Sequence, residues 1–275
     1  RSIKPQPGSI RIARLTDFEP SLTERHLFPG DVGTPALLRL IKHGLAETDG
    51  TVAVLLRRNT IPWFTNTGLG AFGRKLDGYL SYLRSHVPEA DGRRLDVTTT
   101  HKYKGREADF VIVADADKQS YPLIHPTAEL FEIFGDSVAS LTDADRRLFY
   151  VATTRAESSL CYLVTSEYPS SFLGTVFAMS TPVNWRELPI AVTDADAQVE
   201  VRIYDGFDIR QRLKDEFGFK FDDSTKAWYA FRPANGFDFD HVRQDLSFVG
   251  TRLIEVRDDT QRIVHRAGTR LEPGR

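Results

Sequence analysis

The sequence holds one cysteine and one methionine in 275 residues. A lone cysteine forbids an internal disulfide and rules out every C-x-x-C metal knuckle or redox pair. Cys161 sits in the apolar run Leu160 to Val164, so it reads as a buried core thiol. None of the seven histidines shows H-x-x-x-H spacing, and no protein-bound structural metal is expected. No apolar run approaches the roughly 18 residues of a membrane-spanning helix. The opening RSIKPQPGSIRIAR lacks the apolar centre of a signal peptide. These absences predict a cytoplasmic protein without membrane contact. The chain starts at Arg1 and its one methionine is Met179, which predicts a piece of a longer polypeptide. Charge of one sign is missing too. At a formal net charge of −2 there is no whole-chain basic field, so any nucleic-acid site must be local.

What is present is ordinary for a folded chain. With 41% hydrophobic and 27% charged residues, disorder is excluded, and the length suits two domains of about 150 residues. Ser9–Leu15, Thr51–Leu56, Leu95–Thr99, Phe110–Ala114 and Ser159–Thr165 read as strands. Thr34–Leu45, Phe72–His86 and Ala144–Ala156 read as helices, the last opened by Thr142 and Asp145 in a capping arrangement. Leu148, Val151 and Ala152 would form its core stripe. Strands alternating with helices predict an α/β fold, a parallel sheet covered on both faces. Residues 1–180 are assigned to this domain, 181–198 to a linker with Pro and Asp and little periodicity, and 199–275 to a small α+β accessory domain. In the latter, Val199–Tyr204 and Ala227–Phe231 read as strands, Asp208–Phe217 and Phe239–Phe248 as helices, and Leu253–Val256 with Arg262–His265 as a closing hairpin.

Two segments carry chemistry. Val97–Asp109, VTTTHKYKGREAD, crowds hydroxyls, lysines and a histidine between two apolar strands. That would place donors suited to phosphates at the carboxyl edge of the sheet, where open α/β sheets bind ligands. Gly105 supplies a turn or a close approach. Taken alone, the segment is equally compatible with a solvated loop. In Asp143–Ala156, DADRRLFYVATTRA, Arg155 falls near a helix end. Its persistent, forked charge suits a γ-phosphate; taken alone, it also suits compensation of the helix dipole.

In order, strand–TxHxxKGxEAD–strand followed by an acidic residue, RRLxYVAxTRA and a strand, the two segments resemble the superfamily 1 helicases of the UvrD/Rep type. They are similar to the second, RecA-like domain of that family. Helicase IV and its relatives also share the downstream P-S-x-F stretch, here Pro169–Phe172. The resemblance runs from about Gly50 to Phe172. It implies that RRLFYVATTRA is motif VI, with Arg155 reaching the ATP γ-phosphate. It implies that TTHKYKGRE is motif V, with Thr99 and His101 on single-stranded nucleic acid, Glu107 on the nucleotide ribose, and Lys104–Gly105 as the shared turn. VAVLLRRN would bring Arg57 and Asn59 to the nucleic-acid groove, although Arg57 also suits a salt bridge. By resemblance the intact protein would be an ATP- and Mg²⁺-dependent, three-prime to five-prime DNA helicase. It would act in DNA repair on single strands or tailed duplexes and associate with the nucleoid.

Departures matter as much. There is no Gly-Lys dipeptide and therefore no P-loop, and no Walker B strand or Gln-x-x-Tyr-Arg element is evident. The ligands for ATP and Mg²⁺ would lie largely in a first RecA-like domain of the same polypeptide, and this chain alone should neither bind ATP tightly nor hydrolyse it. The stretch from Asn59 to Thr98 is too short for the inserted subdomain of UvrD and Rep. Gly68–Gly73, GLGAFG, matches a dinucleotide fingerprint but follows its strand too late and reads as a turn. In the accessory domain, LKxxxGFxxDxxxKxWY is similar to small modules beside primases and annealing helicases. There Trp228, Tyr229 and Phe231 with Lys220, Lys226 and Arg232 offer a stacking surface, or Trp228 and Phe231 are core residues of a βαβ unit. Acidic and basic residues nearly balance in this domain, leaving its partner, protein or nucleic acid, open. Two other classes stay open for the whole chain: an RNA-polymerase-associated helicase-like ATPase, and a non-catalytic docking module.

Overall fold

A computed structural model describes residues 8–61, 63, 76–124, 137–192 and 196–270; GLGAFG and the start of the helix expected from Phe72 lie outside them. The chain divides into two compact units, one of residues 1–19 and 30–191, the other of 20–29 and 192–275.

The first unit is built on six strands: β1 (Ser9–Arg14), β2 (Val52–Leu56), β3 (Leu95–Thr99), β4 (Ala108–Val113), β5 (Ala156–Val164) and β6 (Thr181–Pro182). Their order is β3-β2-β4-β5-β1-β6, and every neighbouring pair is parallel. The expected α/β architecture is thus present. All five residues of β2 are fully buried, as a central parallel strand covered on both faces requires. Among the described residues five helices accompany the strands: α2 (Gly33–Glu47), α3 (Leu76–Arg84), α4 (Glu89–Arg94), α5 (Val138–Thr153) and α6 (Gly174–Met179), while α1 (Leu22–Leu27) belongs to the second unit. Gly44 lets α2 approach the sheet closely, since a Cβ there would meet the Phe110 ring at 2.9 Å.

Two local expectations are corrected. Helix α5 starts earlier than Ala144: Ser137 is its N-cap, accepting from Ser140 N at 3.1 Å. Thr142 is inside the helix, its hydroxyl donating to Val138 O at 2.8 Å. The deepest stripe is Asp145, Phe149 and Ala152, with Leu148 only partly buried. Aromatic packing decides that phase. Phe149 stacks on Tyr162 at 5.6 Å and meets Tyr121 edge-on at 4.9 Å. The expected linker is likewise partly structure. Thr181 and Pro182 pair with Arg11 and Ile12, Trp185 packs on Phe18 at 4.8 Å and donates to Arg14 O at 3.0 Å, and the first unit continues to Ala191. One buried tryptophan fastens a short edge strand that has no room for periodicity.

The second unit is an antiparallel sheet of β7 (Gln198–Tyr204), β8 (Lys220–Asp222), β9 (Ala227–Pro233), β10 (Ile254–Arg257) and β11 (Ile263–Ala267), ordered β11-β10-β7-β9-β8. Helices α7 (Arg210–Asp215) and α8 (Phe239–Asp245) accompany it, together with α1 (Leu22–Leu27). Val201, Ile203, Trp228, Ala230 and Val256 share its core. Antiparallel pairing replaces the βαβ arrangement weighed above. It also splits the expected stacking surface: Trp228 faces the core, and Arg232 lies over Phe219 at 5.7 Å while donating to Phe217 O at 2.8 Å. Tyr229 and Phe231, alternating with Trp228 along β9, point to the opposite face. There Phe231 meets His26 at 4.8 Å, and Arg202 forms a two-point pair with Glu200 at 2.9 and 3.0 Å.

Candidate nucleic-acid and nucleotide sites

The register of the first sheet decides where each candidate stands. Leu56 pairs with Thr99 at the carboxyl ends of β2 and β3, whereas Val52 pairs with Leu95 and Phe110 near the opposite edge. The segment from Thr100 to Glu107 therefore descends the full height of the sheet, roughly 15 Å for a five-residue strand. The expectation that it sits wholly at the carboxyl edge is corrected. Thr99 and His101 are at that edge, beside the stretch Arg57–Asn59 that follows β2. Glu107 adjoins the amino end of β4, and Arg155 immediately precedes β5.

At the amino edge, Ala108 N donates to Arg155 O at 3.0 Å, which brings Glu107 and Arg155 together. Arg155 Nη1 lies 3.9 Å from Glu107 Oε1. Its guanidinium is otherwise held within the chain: Nε donates to Val151 O at 3.1 Å, Nη1 to Arg106 O at 3.2 Å and Nη2 to the Thr154 hydroxyl at 3.2 Å. Gly105 adopts a φ of 85°, left-handed backbone open to glycine at little cost, and the turn reverses there. Arg106 leans over the buried Tyr103 ring at 4.6 Å. Tyr103 in turn donates from its hydroxyl to Glu107 O at 3.1 Å, setting the level of that residue. One arginine beside one glutamate offers a cation and an acceptor at this edge; the pair makes neither a phosphate cradle nor a metal shell.

His101 and Asn59 at the carboxyl edge, and Lys104 within the descending segment, are exposed, but Thr99 is buried and its hydroxyl accepts from Lys102 N at 3.4 Å. Thr100, fully buried, hydrogen-bonds Tyr121 Oη at 3.0 Å, and burial pushes that phenol up to about 12. Arg57 is a salt-bridge partner, as one of its two readings held: Nη2 donates to Asp145 Oδ1 at 2.8 Å. The same edge carries residues that the sequence did not single out. Arg58 donates to Gln119 O at 3.0 Å and, with Lys118, Pro122 and Pro169, lines an open cavity. Adjacency to Arg57 was the only signal for Arg58, and Lys118 had none. Asp117 knits the edge by accepting from Thr165 Oγ1 at 2.5 Å and from Ser166 N at 2.8 Å. Asp115, at a φ of 61°, accepts from the Ser120 hydroxyl at 2.5 Å. Burial, reinforced by Asp117 and opposed by Ser120 and Arg58, lifts its carboxyl to about 7.

Cys161 is fully buried, and desolvation pushes its thiol up to about 12. Among the described residues no group of three or more His, Cys, Asp or Glu could hold a metal ion, and no helix is long and apolar enough to cross a membrane.

A parallel sheet with these two motifs on successive strands has a counterpart among known proteins. Residues 80–167 match the family model of the UvrD-like helicase C-terminal domain. The matched span holds Thr99, His101, Glu107 and Arg155; Arg57 and Asn59 precede it. Among individual proteins, the chain is similar to DNA helicase IV of Escherichia coli (strain K12), 33% identical over 93 residues. That alignment takes in 33% of this chain and 14% of the relative.

Proposed function

We propose that this chain is the carboxy-terminal motor half of an ATP-dependent DNA helicase or translocase of three-prime to five-prime polarity. The observation that carries the reading is the 3.9 Å approach of Arg155 to Glu107, inside the span that matches the helicase family. ATP and Mg²⁺ would be held mainly by a P-loop domain supplied elsewhere in the polypeptide. Glu107 accepts from the ribose hydroxyls. Arg155, turned away from the Val151 and Arg106 carbonyls, spreads its charge over the transferring phosphoryl group as an arginine finger. His101, Lys104, Arg57 and Asn59 contact one strand of DNA at the carboxyl edge, with Thr99 shaping the turn that presents His101. The segment between Thr99 and Glu107 joins the two edges, so a shift at the nucleotide is passed directly to the strand contacts. Repair of DNA in the cytoplasm or nucleoid is the setting this implies.

Fluorescence-anisotropy titration of the purified chain with single-stranded and duplex DNA, over a salt series, tests the strand-binding half. Micromolar, salt-sensitive binding to single strands that weakens in His101→Ala supports it. Absence of binding even at low salt refutes it. The nucleotide half is tested by Arg155→Ala in a polypeptide that also carries the P-loop domain; normal ATP turnover there refutes the arginine finger.

A further inference from the structure

We propose that Asp145 is a positioning residue that aims Arg57 at a backbone phosphate of the bound strand; this rests on the strand-binding reading above. Asp145 lies on α5, between the sheet and the carboxyl-edge loops, and is buried. Both of its oxygens are used. Oδ1 accepts from Arg57 Nη2 at 2.8 Å, and Oδ2 accepts from Leu123 N at 2.5 Å. The backbone after β4 thus holds the carboxylate, and the carboxylate holds the arginine.

The arginine itself is left incomplete. Among the described residues its buried Nε has no hydrogen-bond partner, and the bond to Asp145 is the one hydrogen bond of its guanidinium. An ion pair buried this far returns little net stability, because desolvating both charges offsets their attraction. Two apolar side chains would serve the fold as well. The pair makes better sense as preparation for a ligand. A guanidinium with one arm anchored has already lost its rotational freedom, and its remaining donors match the planar oxygen pair of a phosphate. Tyr121 closes the other side, near enough for its phenol to feel both Arg57 and Asp145, and it is tied through Thr100 to the turn that bears His101. The elements following β2 and β4 therefore meet at one carboxylate, which neither motif needs for its own chemistry.

The test is a double-mutant cycle on the full chain, read by anisotropy with fluorescein-labelled oligo-dT over a salt series. Arg57→Gln and Asp145→Asn should each weaken binding roughly tenfold, the value of one charge-assisted contact. Each should also flatten the log–log salt slope by about 0.7, the loss of one phosphate on a single strand. The double variant should bind no worse than either single one. Tighter binding by Asp145→Asn would show that the carboxylate masks Arg57, and unchanged or multiplicative effects would show that it does not act through Arg57; each overturns the proposal. Should Asp145→Asn lose cooperative unfolding, Asp145→Glu replaces it. That variant keeps the charge but displaces it by one methylene, and affinity equal to wild type would overturn the proposal. If the wild-type chain fails to bind oligo-dT at low salt, the strand-binding reading falls and this inference with it. If the wild type binds and Arg57→Gln weakens it while Asp145→Asn does not, only the inference falls.

Discussion

Replacing Asp115 by Asn should stabilise the protein, and by an amount that depends on pH. Asp115 is 5% exposed two residues beyond β4, and its carboxyl is raised from an ordinary 3.8 to about 7, chiefly by burial. A carboxyl raised in the folded state gives its full contribution to stability below pH about 4, where folded and unfolded chains are both protonated. That contribution is lost as pH rises towards 7, because the unfolded chain ionises while the folded one retains its proton. Three units at about 1.4 kcal/mol each set the loss at up to ~4 kcal/mol. Asparagine keeps an oxygen to accept from Ser120 and carries no charge. It also tolerates the left-handed backbone, a φ of 61° at this position, so the substitution introduces no strain. Urea denaturation of both proteins from pH 4.5 to 8.5 reads the difference directly. The gap in favour of Asp115→Asn should widen steadily up to pH about 7 and then level off. Parallel stability curves, with a gap that does not change with pH, would refute the argument from burial.

Three further outcomes follow from the same structure. Phe149→Ala removes a ring that is 5% exposed and packed among Tyr121, Tyr162 and Phe172; it should cost ~3–5 kcal/mol, seen as a lower guanidinium midpoint at an unchanged slope. Arg155→Ala should reduce ATP turnover on the order of a thousandfold or more in a P-loop-bearing polypeptide, while oligo-dT affinity of the present chain stays within about twofold, because Arg155 stands at the sheet edge away from His101. Cys161, fully buried with its thiol pushed up to about 12, should resist iodoacetamide in the native protein at pH 8 and react fully in denaturant, as mass spectrometry will show.

The parallel sheet was legible because its strands announce themselves. Val52–Leu56 is apolar without interruption, and only a strand covered on both faces uses such a run. Helix α5 was legible as a helix but not in its start, since Ser137 competes with Thr142 as a cap and only tertiary packing selects between them. Its phase was misjudged by about one residue because hydrophobicity ranks Leu148 and Val151 as highly as Phe149. The aromatic partners that settle the matter come from distant β5 and from Tyr121. Both motifs fall in the matched family segment, yet spacing along the chain says nothing of height in a sheet. So Glu107 and His101, six positions apart, were expected at one edge and lie towards opposite ones. Asp145 escaped notice as a partner for Arg57 because one belongs to the helix before β5 and the other follows β2.

Pro20–Pro29 belongs to the second unit although the chain on either side of it belongs to the first. On the ribosome, this has a consequence for timing. Helix α1, with Leu22 only 1% exposed and packed against β7, emerges more than a hundred and fifty residues before β7 is made. At about 5–20 residues per second, it waits on the order of ten seconds or more, its apolar face without a partner. The second unit cannot close in the order of synthesis; it must reach back for a piece that has already left the tunnel.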